Sequence, residues 1–378
     1  MPVSEIATLH HFDAQYEKGL GDAKLTKIGR ILIYVVLLLC LLVWNIGCGQ
    51  SPSSKESSTS SNSTAHQNPP KVDLPEGGHV KAVDKLPSKP LRLAFLCFQN
   101  NPFWFPIRDG AKAATQYLKN FNTTVDYIVM GDDLKADKVV AAMETAIAKK
   151  YDGIVVSPFA DGTETVIDKA VDAGIPVVTI IGESSKPSKR LTFIGQDAVA
   201  AGALAGKIMA EAMGGQGKIG IITGNLSTVQ HEQRRKGAED FIKNNYPNIQ
   251  IIGVWEAHDK AELTYSIARD MITANPDLKM IYCTAGGPFG AAKAIQDLKK
   301  TGQIGVVCYD WVPDNVKYVK SGEIIAAISQ DPFGMAFDSL VTLYNYIVGG
   351  IKPDPVIRVQ QDVLTPQNVS EKIHEENL

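Results

Sequence analysis

Amide and aromatic side chains follow an apolar run near residue 91, and they are the residues best suited to hold a small molecule. Residues 91–98 are apolar enough for a buried strand, residues 99–101 are Gln-Asn-Asn, and residues 103–105 are Phe-Trp-Phe. Amides supply hydrogen-bond donors and acceptors, and aromatic rings supply flat apolar surfaces. Three consecutive bulky rings cannot all face one core. At least one should therefore point from the carboxyl end of the strand, where open α/β sheets bind ligands.

The elements that position these residues follow from the pattern of the chain beyond residue 91. Short apolar runs alternate with amphipathic stretches, which predicts parallel α/β layering. The predicted strands are residues 91–98, 125–130, 153–157, 177–181, 192–194, 218–223, 250–255, 279–283, 305–309 and 324–329. The predicted helices are residues 103–119, 136–149, 163–173, 198–213, 229–245, 260–275, 288–300, 314–321 and 332–348, with a short one from Thr365. Two such halves in tandem predict two lobes with a cleft between them.

Composition narrows the class of protein. The 378 residues are 44% hydrophobic and 21% charged, which is ordinary for a globular chain with room for two domains. A net charge of −3 argues against nucleic acid as a partner. The five cysteines form no CxxC pair, so no zinc or redox motif is present. We expect Cys283 and Cys308, which end two predicted strands, to be free buried thiols, because bridges between neighbouring strands strain disulfide geometry.

The first 48 residues indicate export and attachment. Lys24, Lys27 and Arg30 precede an apolar run over residues 31–44, as in a signal peptide or a membrane anchor. Residues 45–48, Asn-Ile-Gly-Cys, follow the run and resemble a bacterial lipoprotein processing site, although Asn45 stands where that site usually has Leu. We expect a lipidated Cys48, and a short transmembrane anchor is the alternative. Residues 49–90 are rich in Ser, Thr and Pro, which predicts a disordered tether.

The motifs of common enzymes and cofactor sites are absent from the sequence. No GxGxxG follows the first strand, and no GxxxxGK[ST], HExxH or GxSxG occurs. We therefore expect no cofactor, no metal and no catalytic activity.

A set of short motifs, in this order, resembles the type I periplasmic sugar-binding proteins of ABC importers, most closely their ribose- and galactose-binding branch. The motifs are NNPFW at 100–104, GIVVSP at 153–158, GIPVVT at 174–179, GQD at 195–197, RRKG at 234–237, VCYD at 307–310 and ISQDP at 328–332. The resemblance covers residues 91–373. It implies two doubly wound parallel-sheet lobes joined by three crossovers, with residues 91–195 and 331–359 in the first lobe and residues 196–330 and 360–378 in the second.

The resemblance also implies a ligand site in the cleft. It assigns the binding of ligand hydroxyl groups to four polar residues, Asn101, Arg234, Asp310 and Gln330. It assigns packing on the sugar ring to Phe103 and Trp104. A sugar has an apolar C–H face and a rim of hydroxyls, which suit flat rings and planar polar groups respectively.

Each of these residues also has an ordinary structural interpretation. Phe103 and Trp104 could be residues of the hydrophobic core, and Arg234 could form an ion pair with Glu232 or Glu239. Asp310 could cap a helix, and Gln330 could form a hydrogen bond to the backbone of the hinge.

Two loops depart from the family pattern. Residues 181–183 are Ile-Gly-Glu where relatives often have Asp-Arg or Asp-Ser, and residues 284–287 are Thr-Ala-Gly-Gly where relatives often have Asn-Asp. Glu183 and Thr284 are therefore further candidates for ligand binding. His258 is another, because some relatives place a ring-packing aromatic there, although a structural or solvated role is the alternative. The departures imply a less hydroxylated or differently shaped ligand than ribose or glucose.

The combined expectation is a monomeric receptor, anchored outside the cytoplasm, that captures a sugar-like molecule and delivers it to an ABC permease. The alternative is a sensor subunit of the same fold that signals to a membrane kinase or chemoreceptor.

Overall fold

The computed structural model of the protein describes residues 71–99 and 101–373. In this part of the chain, twelve strands form two sheets of six. The strands are β1 (Leu91–Cys97), β2 (Thr123–Val129), β3 (Gly153–Val156), β4 (Val177–Ile180), β5 (Thr192–Gly195), β6 (Gly217–Thr223), β7 (Ile249–Glu256), β8 (Leu278–Cys283), β9 (Gly305–Tyr309), β10 (Ile324–Ile328), β11 (Val356–Arg358) and β12 (Val363–Leu364). The helices are α1 (Trp104–Lys119), α2 (Ala136–Ala148), α3 (Glu164–Asp172), α4 (Ala198–Ala212), α5 (Val229–Asn245), α6 (Ala261–Ala274), α7 (Pro288–Asp297), α8 (Pro313–Ser321), α9 (Pro332–Gly349) and α10 (Val369–Lys372).

The first lobe is built on a fully parallel sheet with the strand order β11-β5-β4-β3-β1-β2. Strands β3, β4 and β5 are buried along their whole length. Such continuous burial is typical of parallel strands that helices cover on both faces. Helix α9 packs on α1 and on β3 and β4, although it comes late in the chain.

The second lobe has the strand order β12-β10-β9-β8-β6-β7, in which only the short β12 runs antiparallel to its neighbour. Helices α4 and α5 cross in close contact. A Cβ atom at Gly202 in α4 would lie 2.1 Å from the carbonyl oxygen of Arg234 in α5, so glycine is required there. This crossing fixes the position of Arg234.

The chain passes between the sheets three times, after β5, after β10 and after β11. The crossing segments are hydrogen-bonded to one another. Gln196 donates from Nε2 to the carbonyl oxygen of Ser329 at 3.1 Å, and Arg358 donates from Nη1 to the carbonyl oxygen of Gln196 at 3.0 Å. The predicted α/β fold of two doubly wound lobes is confirmed.

Residues 71–90 differ from the predicted disordered tether, because they pack along the first lobe. Asp338 of α9 accepts hydrogen bonds at Oδ1 from the backbone of His79 and Val80, at 2.8 and 2.9 Å. Asn345 accepts from the backbone of Val83 at 2.8 Å. Scattered apolar side chains of this segment pack on the core of the lobe. Helix α9 thus supplies the backbone partners and apolar surface that composition alone does not reveal. We call residues 71–90 the strap.

The predicted leader, Cys48 and residues 49–70 of the predicted tether lie outside the described residues. Within residues 71–99 and 101–373, no helix is both long and apolar enough to cross a membrane. Cys97, Cys283 and Cys308 are buried free thiols.

Candidate functional site

An enclosed cavity lies between the two lobes, at the carboxyl ends of the strands. Asn101, Phe159 and Ile181 come from loops after β1, β3 and β4, and Asp310 and Gln330 follow β9 and β10. The cavity has a volume of about 30 Å³, which is room for about two water molecules, so the lobes lie close together around it.

The first lobe gives the cavity an apolar wall. Trp104 is only 2% exposed, and its ring centroid lies 5.4 Å from that of Phe103 and 6.0 Å from that of Phe159. Both pairs are edge-to-face, a favourable arrangement that restrains the indole. Leu134 and Ile181 complete this wall. Trp104 is therefore both a core residue and a lining residue.

Asn101 of the first lobe lies close to the loop after β8 in the second lobe. Its Oδ1 accepts the backbone N–H of Phe103 at 2.9 Å, which orients the amide at the start of α1. A Cβ atom at Gly286 would lie 2.9 Å from Nδ2 of Asn101 and 3.2 Å from Cβ of Asp259. The loop after β8 thus brings bare backbone, instead of a polar side chain, close to Asn101.

Arg234 is a buried cation whose position is fixed by several contacts. Its guanidinium carbon lies 3.7 Å from the ring centroid of Tyr309. Nε and Nη2 donate to Oε1 of Gln196 at 3.1 and 2.7 Å, and Nη1 donates to the carbonyl oxygen of Thr284 at 3.1 Å. These contacts hold the guanidinium rigidly at the cavity wall.

The ion pair considered for Arg234 belongs instead to its neighbour. Arg235 contacts Glu232 at 2.7 Å and Glu239 at 2.6 Å on the outer side of α5.

Asp310 and Gln330 form a hydrogen-bonded pair in the cavity wall. Nε2 of Gln330 donates to Oδ1 of Asp310 at 2.6 Å. Burial raises the pKa of Asp310 to about 6, although Arg234 and this hydrogen bond oppose the shift. Asp310 has a φ of 74°, which is strained for a residue other than glycine. It does not cap α8, since Val312 occupies the N-cap position.

Three further polar residues, which the sequence analysis did not assign to the site, line the cavity: Gln230, His231 and Asp259. Gln230 spans the lobes, because its Nε2 donates to the carbonyl oxygen of Ile181 at 2.7 Å and to Oε1 of Gln330 at 3.3 Å. A glutamine in the first turn of a helix gives no sequence signal for this role.

Asp259 is a buried carboxylate with one unsatisfied oxygen. It is 6% exposed, and its Oδ1 accepts the backbone N–H of Gly286 at 2.9 Å. Its Oδ2 is buried and has no hydrogen-bond partner among the described residues. The carboxylate therefore stabilises the loop after β8.

His231 supplies a neutral donor. Its Nδ1 accepts the backbone N–H of Asn225 at 3.2 Å, so the proton of the neutral ring is on Nε2. Burial lowers the pKa of His231, although the nearby Asp259 opposes that shift.

Three predicted candidates lie away from the lining of the cavity. Glu183 forms a salt bridge with Arg190 and accepts a hydrogen bond from Thr179 at 2.7 Å. Thr284 is fully buried, and its hydroxyl lies 2.8 Å from that of Thr223. His258 is exposed, with Nδ1 at 2.8 Å from Oδ1 of Asn225. Asn101, Phe103, Trp104, Arg234, Asp310 and Gln330 do line the cavity.

Known proteins share this sequence and architecture. A D-allose-binding periplasmic protein from Escherichia coli (strain K12) is 25% identical over 242 residues, which cover 62% of this chain and 76% of that protein. A D-ribose/D-allose-binding protein from Pseudomonas aeruginosa is 26% identical over 275 residues, 70% of this chain and 84% of that protein.

A solved structure is also similar to this chain, in both sequence and fold. The solute-binding protein of an ABC transporter from Burkholderia graminis C4D1M, in complex with D-arabinose, is 26% identical with a TM-score of 0.70. The match covers 76% of this chain and 99% of that one. The family model described as the periplasmic binding protein domain matches residues 95–351. This chain belongs to the periplasmic binding protein domain family.

Proposed function

We propose that this protein is an extracytoplasmic solute-binding protein that captures a sugar or sugar-like molecule in the interlobe cavity and delivers it to an ABC importer. The observation that carries the proposal is the two-sided lining of the cavity. Trp104 and Phe103 form a flat apolar wall, and Arg234 and Asp310 belong to a polar wall. This lining matches the apolar face and hydroxyl rim of a sugar.

Contacts between the lobes support closure on the ligand. Besides the bond from Gln230 to Ile181, the backbone N–H of Val229 donates to the carbonyl oxygen of Phe159 at 3.1 Å. In the proposal, residues 91–195 with 331–359 and residues 196–330 with 360–378 act as two bodies that close around the three crossovers. Closure of this kind turns occupancy into a change of shape that a permease can recognise.

The proposed ligand contacts follow from these walls. Asn101, Arg234, Asp310 and Gln330 bind hydroxyl groups, and Phe103 and Trp104 pack on the ring. Glu183, Thr284 and His258 are not among these contacts, because their side chains are engaged elsewhere.

The relatives support a sugar-like ligand. Their names refer to D-allose and D-ribose, and the solved neighbour contains D-arabinose. All three are named as binding proteins, so the proposal assigns no catalytic step and does not include the sensor alternative.

We also propose that a lipidated Cys48 anchors the protein outside the cytoplasm and that the protein acts as a monomer. Incorporation of labelled lipid into the wild type but not into Cys48→Ala would support the anchor. Equal labelling of both proteins would exclude Cys48.

A thermal-shift screen against pentoses, hexoses and cyclitols tests the binding function. A ligand at 100 times its Kd adds about 2.7 kcal/mol to the free energy of unfolding, which raises Tm measurably. Failure of every compound in the screen to raise Tm would contradict the proposal.

A further inference from the structure

The charges that line the cavity do not balance. Asp259 and Asp310 are acidic, Arg234 is the single cation among the lining residues, and the lowered pKa of His231 leaves that ring neutral. The buried groups therefore carry a formal charge of about −1 when both carboxylates are ionised.

The one cation is already engaged by neutral groups. Arg234 donates to the side chain of Gln196 and to the carbonyl oxygen of Thr284, and its face stacks on Tyr309. These contacts engage three of its five N–H groups with neutral acceptors.

Within the described part of the chain, both carboxylates accept hydrogen bonds from neutral donors, although the charge of Arg234 also favours the ionised form of Asp310. Asp310 accepts from the amide of Gln330, and Asp259 accepts from the backbone of Gly286. Oδ2 of Asp259 is buried without a partner among the described residues. An unpaired buried charge is costly, and proteins normally satisfy such a group with a counter-charge or with a bound molecule.

We propose that the ligand carries a protonated amine that lies against Asp259 and Asp310, on a sugar or cyclitol ring whose apolar face packs on Trp104. This inference rests on the proposed function and specifies the class of ligand. An ammonium group has three hydrogen-bond donors and a positive charge. It therefore both donates to the unpaired Oδ2 of Asp259 and balances the excess negative charge. A hydroxyl group supplies only the hydrogen bond.

Matched pairs of ligands separate the amine from the ring. Isothermal titration of the full chain would compare D-glucosamine with D-glucose, D-galactosamine with D-galactose, and an aminocyclitol with myo-inositol. The amine should bind at least about tenfold more tightly than its neutral partner in one or more pairs, as hydrogen bonds to charged groups are about 1.5–3 kcal/mol. N-acetylation of that amine should remove the advantage.

Asp259→Asn is the matching variant. Asparagine retains Oδ1 as an acceptor for Gly286 and removes the charge. The ratio of the two affinities, amine over neutral partner, should fall by about tenfold in this variant. Asp314→Asn removes the same charge from an exposed position on α8 and should leave the ratio unchanged. The Tm of each unliganded variant verifies that it is folded.

The outcomes distinguish the two proposals. Neutral partners that bind as tightly as the amines, or an unchanged ratio in a folded Asp259→Asn variant, would overturn the amine inference and leave sugar binding intact. Failure of both members of every pair to bind would contradict the amine inference, and only failure of the whole sugar and cyclitol screen would contradict the proposed function as well.

Discussion

Arg234 donates two hydrogen bonds to Oε1 of Gln196, so a side chain of the cavity is held by a residue of the first crossover. Gln196 also bonds to Ser329 of the second crossover and to Arg358 of the third. One buried glutamine thus connects the cavity to all three segments that join the lobes. We therefore expect a ligand that contacts Arg234 to be coupled to the hinge through Gln196.

Replacement of Gln196 tests this connection. Gln196→Met preserves length but leaves buried donors of Arg234 unpaired, which should lower the free energy of unfolding by about 1–3 kcal/mol and weaken ligand binding. Gln360→Met makes the same change at an exposed position of the third crossover and should have little effect. Denaturant unfolding and titration calorimetry measure both quantities. Wild-type affinity in Gln196→Met would show that Arg234 does not depend on this contact.

Gly286→Ala should weaken binding more than it destabilises the unliganded protein. A methyl group at this position would lie 3.2 Å from Cβ of Asp259 in the same lobe and 2.9 Å from Nδ2 of Asn101 in the other lobe, and we expect only the second contact to need closed lobes. The overpacking should cost the closed state about 1–3 kcal/mol. Calorimetry gives the loss of affinity, and the Tm without ligand is the control. An equal loss of stability in the unliganded protein would indicate that the clash does not depend on closure.

Asp310 should make stability depend on pH. Its pKa is about 6 in the folded protein and about 3.9 in an unfolded chain. Between these values the folded state binds more protons, so the contribution of Asp310 to stability falls as pH rises towards 6. The free energy of unfolding of Asp310→Asn should therefore exceed that of wild type at pH 7, and the two should be nearly equal at pH 4. The same difference in free energy of unfolding between the two proteins at both pH values would contradict this expectation.

The same group should make binding weaker in acid. A ligand that donates to the ionised carboxylate lowers the pKa of Asp310, so binding releases a proton below about pH 6 and affinity falls there. Titration in two buffers of different ionisation enthalpy, at pH 5 and pH 7.5, measures the released proton. A pH-independent affinity would exclude Asp310 from ligand contact.

The strap should detach when its main anchor is removed. Asp338→Ala deletes the acceptor for the backbone of His79 and Val80. Trypsin should then cleave after Lys81 and Lys85 faster than in wild type, because extended packed backbone resists proteolysis. Asp270→Ala, which removes an exposed carboxylate that pairs with Arg269, is the control. Equal cleavage rates in all three proteins would show that Asp338 does not hold the strap.

The order of helices and strands could be predicted because buried parallel strands are continuous apolar runs, separated by amphipathic helices. The two strands missed, β11 and β12, have three and two residues. They are too short to show an alternation of apolar and polar residues in the sequence. They form because each pairs with an existing strand, β11 with β5 and β12 with β10.

The candidate site was predictable in part. Asn101, Trp104 and Asp310 follow or adjoin strand ends in motifs that resemble a known family. Phe159 was missed because its place depends on a positive φ of 56°, which the sequence does not signal. Asp259 lies in the loop between β7 and α6, and its sequence signal, a carboxylate between a strand and a helix, equally fits a helix cap.

The most direct test of the central claim compares two neighbouring aromatic residues. With the best ligand from the sugar screen, the Kd would be measured by calorimetry for wild type, Trp104→Ala and Phe105→Ala. Trp104 lines the cavity at 2% exposure, whereas Phe105 is 46% exposed and does not line it. We expect Trp104→Ala to lose about 3 kcal/mol of binding free energy or more and Phe105→Ala to bind as wild type does. A folded Trp104→Ala protein with wild-type affinity would contradict the assignment of this cavity as the ligand site.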